Sequence, residues 1–103
     1  MDPKQLVHSD SLLSDRVRLA IMATLASAPE PLDFTTVLES LELTKGNLAT
    51  HLRKLEDAGL LRMKKQFVDR KPRTTYECTA EGRRQLSSYL ERIERVLRGV
   101  LRQ

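Results

Sequence analysis

Leu43-Thr44-Lys45-Gly46-Asn47-Leu48-Ala49-Thr50-His51-Leu52-Arg53-Lys54-Leu55-Glu56-Asp57-Ala58-Gly59-Leu60 is the stretch on which the fold turns. Thr44 is a good N-cap, and the helix it opens runs to about Ala58 with Leu48, Leu52 and Leu55 as its buried stripe. Gly59 stands where a left-handed residue is wanted after the last turn, and Leu60 is placed to touch Leu55, as in a Schellman motif. At about 100° per residue, the side opposite the leucines falls on Gly46, Thr50 and Arg53, with Asn47 and Lys54 flanking them. The helix is apolar on one side and polar and basic on the other. Gly46 weakens it by roughly 1 kcal/mol against alanine. Close approach to another backbone and simple tolerance near a helix start account for that glycine equally well.

Upstream, Asp33 caps a short helix from Phe34 to Leu41, whose apolar face is Phe34, Val37, Leu38 and Leu41; Leu32 and Val37 form a hydrophobic staple. Only Glu42-Leu43-Thr44 separates the two helices. A longer helix from about Ser14 to Ser27, capped by Ser14 or Ser11, turns Val17, Ala20, Ile21, Thr24, Leu25 and Ala28 inward until Pro29 and Pro31 end it. Asp2-Pro3 opens a short helical segment to about His8 that buries Leu6 and Val7. Two helices joined by a three-residue turn, with a third before them, form a helix-turn-helix pattern.

Downstream of Gly59 the apolar period changes from 3.6 to 2. Leu61, Met63 and Phe67 share one parity against Arg62, Lys64 and Gln66, and Thr74, Tyr76 and Cys78 alternate with Thr75 and Glu77. Two antiparallel strands are predicted, joined by the polar, basic, proline-containing loop Asp69-Arg70-Lys71-Pro72-Arg73. A basic hairpin directly after a helix-turn-helix is a wing, here residues 68–73. Thr79 caps a last helix, Ala80 to about Arg102, with Glu81 in its first turn and Arg98 and Arg102 near its end. Leu86, Leu90, Ile93, Leu97 and Val100 follow one another at spacings of 4, 3, 4 and 3, an a/d seam suited to a second copy of the helix. The expected fold is mainly α with a small β-hairpin (α+β): one domain over 1–103, with a winged helix-turn-helix core at 11–78 and a C-terminal dimerisation helix at 79–103.

Charge supports a polyanion partner. Lys and Arg number 18 against 14 Asp and Glu, a net of only +4. Residues 1–44 carry −4, residues 45–76 carry +6 and residues 77–103 carry +2, so the third helix and the wing hold the basic block. Only four aromatic side chains are present, Phe34, Phe67, Tyr76 and Tyr89, and the periodicity turns most of them inward. Single strands are usually bound by stacking on aromatics, so duplex DNA is favoured over RNA or single strands.

Other chemistries find no support in the sequence. It contains no phosphate loop, no dinucleotide fingerprint and no His-Glu-x-x-His, and no nucleophile and base can be paired, so no enzyme and no cofactor are expected. Two histidines and one cysteine, far apart, do not compose a metal site. His8 is isolated near the terminus. His51, between the buried and exposed sides of its helix, reads as structural or phosphate-contacting. Cys78 alternates with Glu77 and reads as a small buried hydrophobe, with no adjacent basic residue to activate it. The longest apolar run is Leu19 to Ala23, far short of a membrane span, and residues 1–15 hold no signal-peptide core. A reduced, soluble, cytoplasmic protein is the expectation.

The run Leu43 to Leu60, together with Arg73-Thr74-Thr75-Tyr76-Glu77-Cys78-Thr79-Ala80-Glu81-Gly82, resembles the recognition helix, second wing strand and following turn of winged-helix transcriptional regulators, in particular short members of the MarR/ArsR-like superfamily. The resemblance covers about residues 10–90. It implies a homodimer joined through its terminal helices, with the third helix in the major groove and the wing near the minor groove or backbone. The chain departs from metal-sensing ArsR repressors, which use a Cys-containing pair on a helix. It is also shorter at both ends than many MarR-type regulators, whose flanking helices form a ligand pocket, and no effector is assigned.

These readings name a set of residues. Lys45, Asn47 and Thr50, on the first turns of the third helix, are the candidates for base readout. Thr44, Gly46, His51, Arg53, Lys54, Lys64, Lys65, Arg70, Lys71 and Arg73 are the candidates for backbone or wing contact. Leu86, Leu90, Ile93, Leu97 and Val100 are the candidate dimer interface. The expected activity is that of a homodimeric repressor on an inverted repeat; the alternative is a winged-helix docking module in a transcription assembly with little DNA affinity of its own.

Overall fold

The computed structural model describes residues 3, 4 and 12–102, so most of the segment Asp2 to His8 lies outside the described residues. A single 3-10 turn at Leu12–Ser14 leads into α1 (Arg16–Ser27), β1 (Leu32–Asp33), α2 (Phe34–Leu41), α3 (Lys45–Asp57), β2 (Leu61–Val68), β3 (Lys71–Cys78) and α4 (Ala80–Leu101). Helices and strands combine in the α+β arrangement expected of a winged helix, and the long C-terminal helix is present.

Each helix begins at a side chain that satisfies its free amides. Asp33 receives the Thr36 amide at 2.8 Å, Thr44 receives the Asn47 amide at 3.2 Å, and Thr79 receives the Gly82 amide at 3.0 Å. At α1 the cap is Asp15, in place of the expected Ser14 or Ser11. Its carboxylate accepts from the Val17 and Arg18 amides at 2.9 and 3.0 Å, while Ser14 belongs to the preceding 3-10 turn. Asp15 has the extended backbone a cap requires, so the chain leaves one turn and enters the next helix at the aspartate.

The caps depress two carboxyls. Asp15 is held below its ordinary value first by the Arg18 amide, and Asp33 first by the hydroxyl and amide of Thr36. A depressed carboxyl contributes stability that is fully present above its ordinary value near 3.8 and lost as the pH falls through the lowered one. Asp33→Ala should therefore cost about 1 kcal/mol at pH 7. Urea titrations should show that difference from wild type shrinking toward zero well below about pH 4.

The sheet has three strands, in the order β1-β3-β2, all antiparallel. β1 was not predicted. It is two residues long, too short to carry an alternation, and pairs Leu32 with Tyr76 and Asp33 with Thr75. This makes β3 central over those residues and buries Thr75, whose parity had placed it outward.

The hairpin is also longer and tighter than expected. Its strands continue to the pair Val68 and Lys71, leaving only Asp69 and Arg70 as the turn, with φ of 52° and 66°. Two successive left-handed residues are what a type I′ turn needs, and its twist matches that of the strands. Lys71, Pro72 and Arg73 are therefore strand residues and not loop. Pro72 is tolerated because β1 ends before reaching it, so no strand lies outside β3 to miss its N–H.

The core lies between α1, α3, the base of the hairpin and the first half of α4. Leu13, Ile21, Met22, Leu25, Val37, Leu48, Leu52, Leu55, Leu60 and Leu61 compose it, joined by Cys78, Leu86 and Tyr89. Met22 lay off the expected stripe of α1; it is buried because α4 and β3 cover a second side of that helix, and the Cys78 thiol donates to the Met22 carbonyl at 3.7 Å. Burial raises the Cys78 thiol above its ordinary value, which suits a packed residue and not a reactive one.

Candidate nucleic-acid interface

α3 is oriented by its apolar side. Leu48, Leu52 and Leu55 are buried, and the C-terminal turn is closed as the sequence suggested: Gly59 has φ +77° and the Leu60 amide reaches the Leu55 carbonyl at 2.9 Å. The polar and basic side of the helix is thereby turned outward. Lys45, Gly46, Asn47, Thr50, Arg53 and Lys54 are all exposed. Gly46 has open space where a Cβ would stand, so nothing within the chain requires glycine there. Ala49 is exposed on the same face and was missed, because a small apolar residue carries no polarity signal.

His51 is accounted for within the fold. Its Nδ1 lies 3.3 Å from the Arg18 guanidinium, which also donates to the Leu12 carbonyl at 2.7 Å. Of the two roles open to it in the sequence, the structure favours the structural one, tying α3 to the start of α1. Thr44 is likewise committed by its side chain to the cap of α3.

The wing residues divide by strand parity. Lys64, Gln66 and Arg73 share the outer face of the hairpin and border a cleft of about 220 Å³ with Pro31 and Thr75. Arg73 lies 3.9 Å from Asp33, so part of its charge is spent at the cap of α2. Lys65 belongs to the opposite face, which carries Met63 and Tyr76. There a cleft of about 200 Å³ runs between α3 and the hairpin, with Ala49 and Arg53 on one wall and Met63 and Tyr76 on the other. Burial, and then the Glu56 carboxylate, raise the Tyr76 phenol above its ordinary value, so it stays neutral there.

Among the described residues, Lys45, Arg53, Lys54, Lys64, Lys65, Arg70 and Lys71 form no ion pair, whereas Arg18, Arg62, Arg73, Arg84 and Arg98 each have a carboxylate. Seven unneutralised cations thus stand on α3 and the wing; Arg16 on α1 and Arg83, Arg92, Arg95 and Arg102 along α4 likewise form no ion pair among the described residues.

The family description "winged helix DNA-binding domain" matches residues 17–97. The chain belongs to that family. This winged helix is 36% identical over 77 residues to an uncharacterized protein of Methanocaldococcus jannaschii, covering 75% of this chain and 83% of that one. Its fold is similar to a solved transcriptional regulator homologue from Pyrococcus horikoshii OT3, with a TM-score of 0.84, 35% identity and 94% of each chain covered. It also superposes on Bacillus subtilis PadR in complex with operator DNA, with a TM-score of 0.63 and 18% identity, over 73% of this chain and 46% of PadR.

The seam residues of the winged helix separate into two groups. Leu86 is only 6% exposed and packs in the chain's own core beside Tyr89, and Ile93 lies against that core. Leu90, Leu97 and Val100 stay open, with Leu97 at 50% and Val100 at 61%, and Leu101 extends the stripe. α4 thus spends its first half on its own domain and offers an apolar second half. Among the described residues, no helix is long and apolar enough to cross a membrane.

Proposed function

We propose that this winged helix is a transcriptional regulator that binds duplex DNA as a homodimer. α3 lies in the major groove, and the wing lies on the adjacent backbone or minor groove. The observation that carries this reading is the set of seven unpaired, exposed cations on α3 and the wing, on a helix whose opposite side is fixed by buried leucines. Lys45, Asn47 and Thr50 read bases; Arg53, Lys54, Lys64, Lys65, Arg70 and Lys71 hold phosphates, with a lesser part for Arg73. Two copies joined through Leu90, Leu97 and Val100 present their recognition helices about one DNA turn, ~34 Å, apart, and so select an inverted repeat. Occlusion of a promoter, and hence repression, is the proposed output. The MarR/ArsR-like grouping is supported by the runs Leu43–Leu60 and Arg73–Gly82; the PadR likeness, at 18% identity, speaks to fold alone.

The decisive experiment is selection of bound fragments from genomic DNA, with enrichment of an inverted repeat expected. If each half-site neutralises four phosphates, log K should fall with log salt at a slope of about −7. A flat salt response would remove the DNA reading. Asn47→Ala should relax sequence preference, whereas Arg70→Ala should weaken specific and random duplex alike. Equal losses on both DNAs for both variants would contradict that division of roles.

A docking module is the second reading, and one feature favours it: Phe67 and Val68 are exposed and apolar at the end of the wing, away from the seam. It predicts negligible duplex affinity at physiological salt.

A further inference from the structure

Phe67 contributes nothing to the core, although its parity places it with Leu61 and Met63. The hairpin outruns the body of the domain, and at its end Phe67 is 78% exposed. Val68 follows it and Pro72 stands directly across from it, so three exposed apolar side chains cap the wing. Lys64, Lys65, Arg70 and Lys71 surround that cap without an ion pair, and the turn adds only Asp69 as an acid. A two-residue turn keeps the tip narrow, two strands about 4.8 Å apart.

The register also aims it. Phe67 and Lys65 lie on the same hairpin face as Met63, which borders the cleft against α3. Four residues of strand carry Phe67 about 13 Å beyond Met63. With α3 in a major groove, the neighbouring minor groove passes about half of a ~34 Å turn, ~17 Å, away; the ~13 Å of strand begins at Met63, which already stands off α3 across the cleft, so the tip lies at a comparable distance from the helix. A bare aromatic ring within a collar of cations fits a polyanion whose interior is a stack of flat apolar rings.

We propose that Phe67 is an apolar wedge that enters the minor groove beside each half-site and partly unstacks one base step, while Lys65, Arg70 and Lys71 hold the flanking phosphates. The proposal rests on the DNA-binding reading above. It makes the wing a specificity element through DNA deformability. Pyrimidine–purine steps, above all TA, are the easiest to unstack and should be enriched under the wing, outside the bases that α3 touches.

The test uses the full chain and a duplex recovered by the genomic selection, with 2-aminopurine placed at successive positions outside each half-site. Bound wild type should raise the fluorescence at one flanking step. Phe67→Ala should lose that rise together with the preference for TA, and Phe67→Leu should retain part of it. Thermal unfolding should be the same for all three proteins, since the ring packs in no core. Wild type that binds without a fluorescence rise at any position overturns the wedge alone, as does a rise that survives in Phe67→Ala. If Phe67→Ala turns the dimer into monomer, the tip belongs to a second copy and the wedge is overturned. Wild type that fails to bind any duplex overturns the DNA reading and the wedge with it.

Discussion

Gly82→Ala is expected to lower the stability of the domain by about 3 kcal/mol or more, enough to drop the melting temperature on the order of 15 °C. A Cβ built at Gly82 would stand 1.9 Å from the Leu60 carbonyl oxygen, 2.8 Å from its carbon and 2.9 Å from Met22 Cε. The methionine can swing aside, but the carbonyl cannot. It accepts the Thr79 amide at 3.1 Å, and the Thr79 hydroxyl donates to the Gly59 carbonyl at 2.6 Å while receiving the Gly82 amide. The C-terminal turn of α3 and the N-terminal turn of α4 are thus laced together at the point where Gly82 presses on the chain. Relief would need α4 to lift by about 1.5 Å to reach ordinary contact. That would pull Leu86 and Tyr89 from a core with little stability to spare. Gly99→Ala is the control. Nothing lies within 4 Å of its Cβ position, so alanine should stabilise the exposed helix by roughly 0.5–1 kcal/mol. Thermal unfolding of both variants at one fixed protein concentration reads the contrast; equal melting temperatures would contradict the close approach at Gly82.

Leu97→Glu is expected to turn the proposed dimer into monomer and to lower affinity for the inverted repeat by at least about a hundredfold, leaving a half-site interaction. Leu97 is half exposed, so the glutamate is solvated in the monomer and costs the fold little, whereas in a paired seam it would be buried among leucines without a partner. Sedimentation velocity and binding to whole and half operators check the two effects. An unchanged dimer would show that the second half of α4 is not the interface. Leu86→Glu could not make that distinction, because Leu86 is already enclosed by its own chain and its loss would unfold the domain.

The difference between those two leucines marks the limit of what periodicity reveals. The 4-3-4-3 spacing identified one apolar stripe along α4, correctly, but a stripe does not say which neighbour covers it. α4 is 22 residues long, about 33 Å, and the body of the domain underlies only its first part. Phe67 illustrates the same limit in a strand. Alternation foretold its face, while burial depended on the domain ending before the hairpin did. β1 was invisible because two residues cannot show a period, and the turn at Asp69-Arg70 lacks the glycine that usually announces a type I′ hairpin.

The parts legible in the sequence were those set by local chemistry. Capping oxygens at Asp33, Thr44 and Thr79, the left-handed Gly59 and the leucine stripe of α3 each act within a few residues. They therefore determined the helix-turn-helix, the orientation of its third helix and the outward placement of Lys45, Asn47, Thr50 and Arg53. The Asp15 cap is equally local, but Ser14 and Ser11 compete with it in the sequence. Tertiary structure alone decided the tie of His51 to Arg18, the division of the α4 stripe into a buried half and an open half, the exposure of Phe67 and the need for glycine at position 82. Each of these depends on an atom brought close from a distant part of the chain, or on where the packed body of the domain ends, and neither is written in the spacing of neighbouring residues.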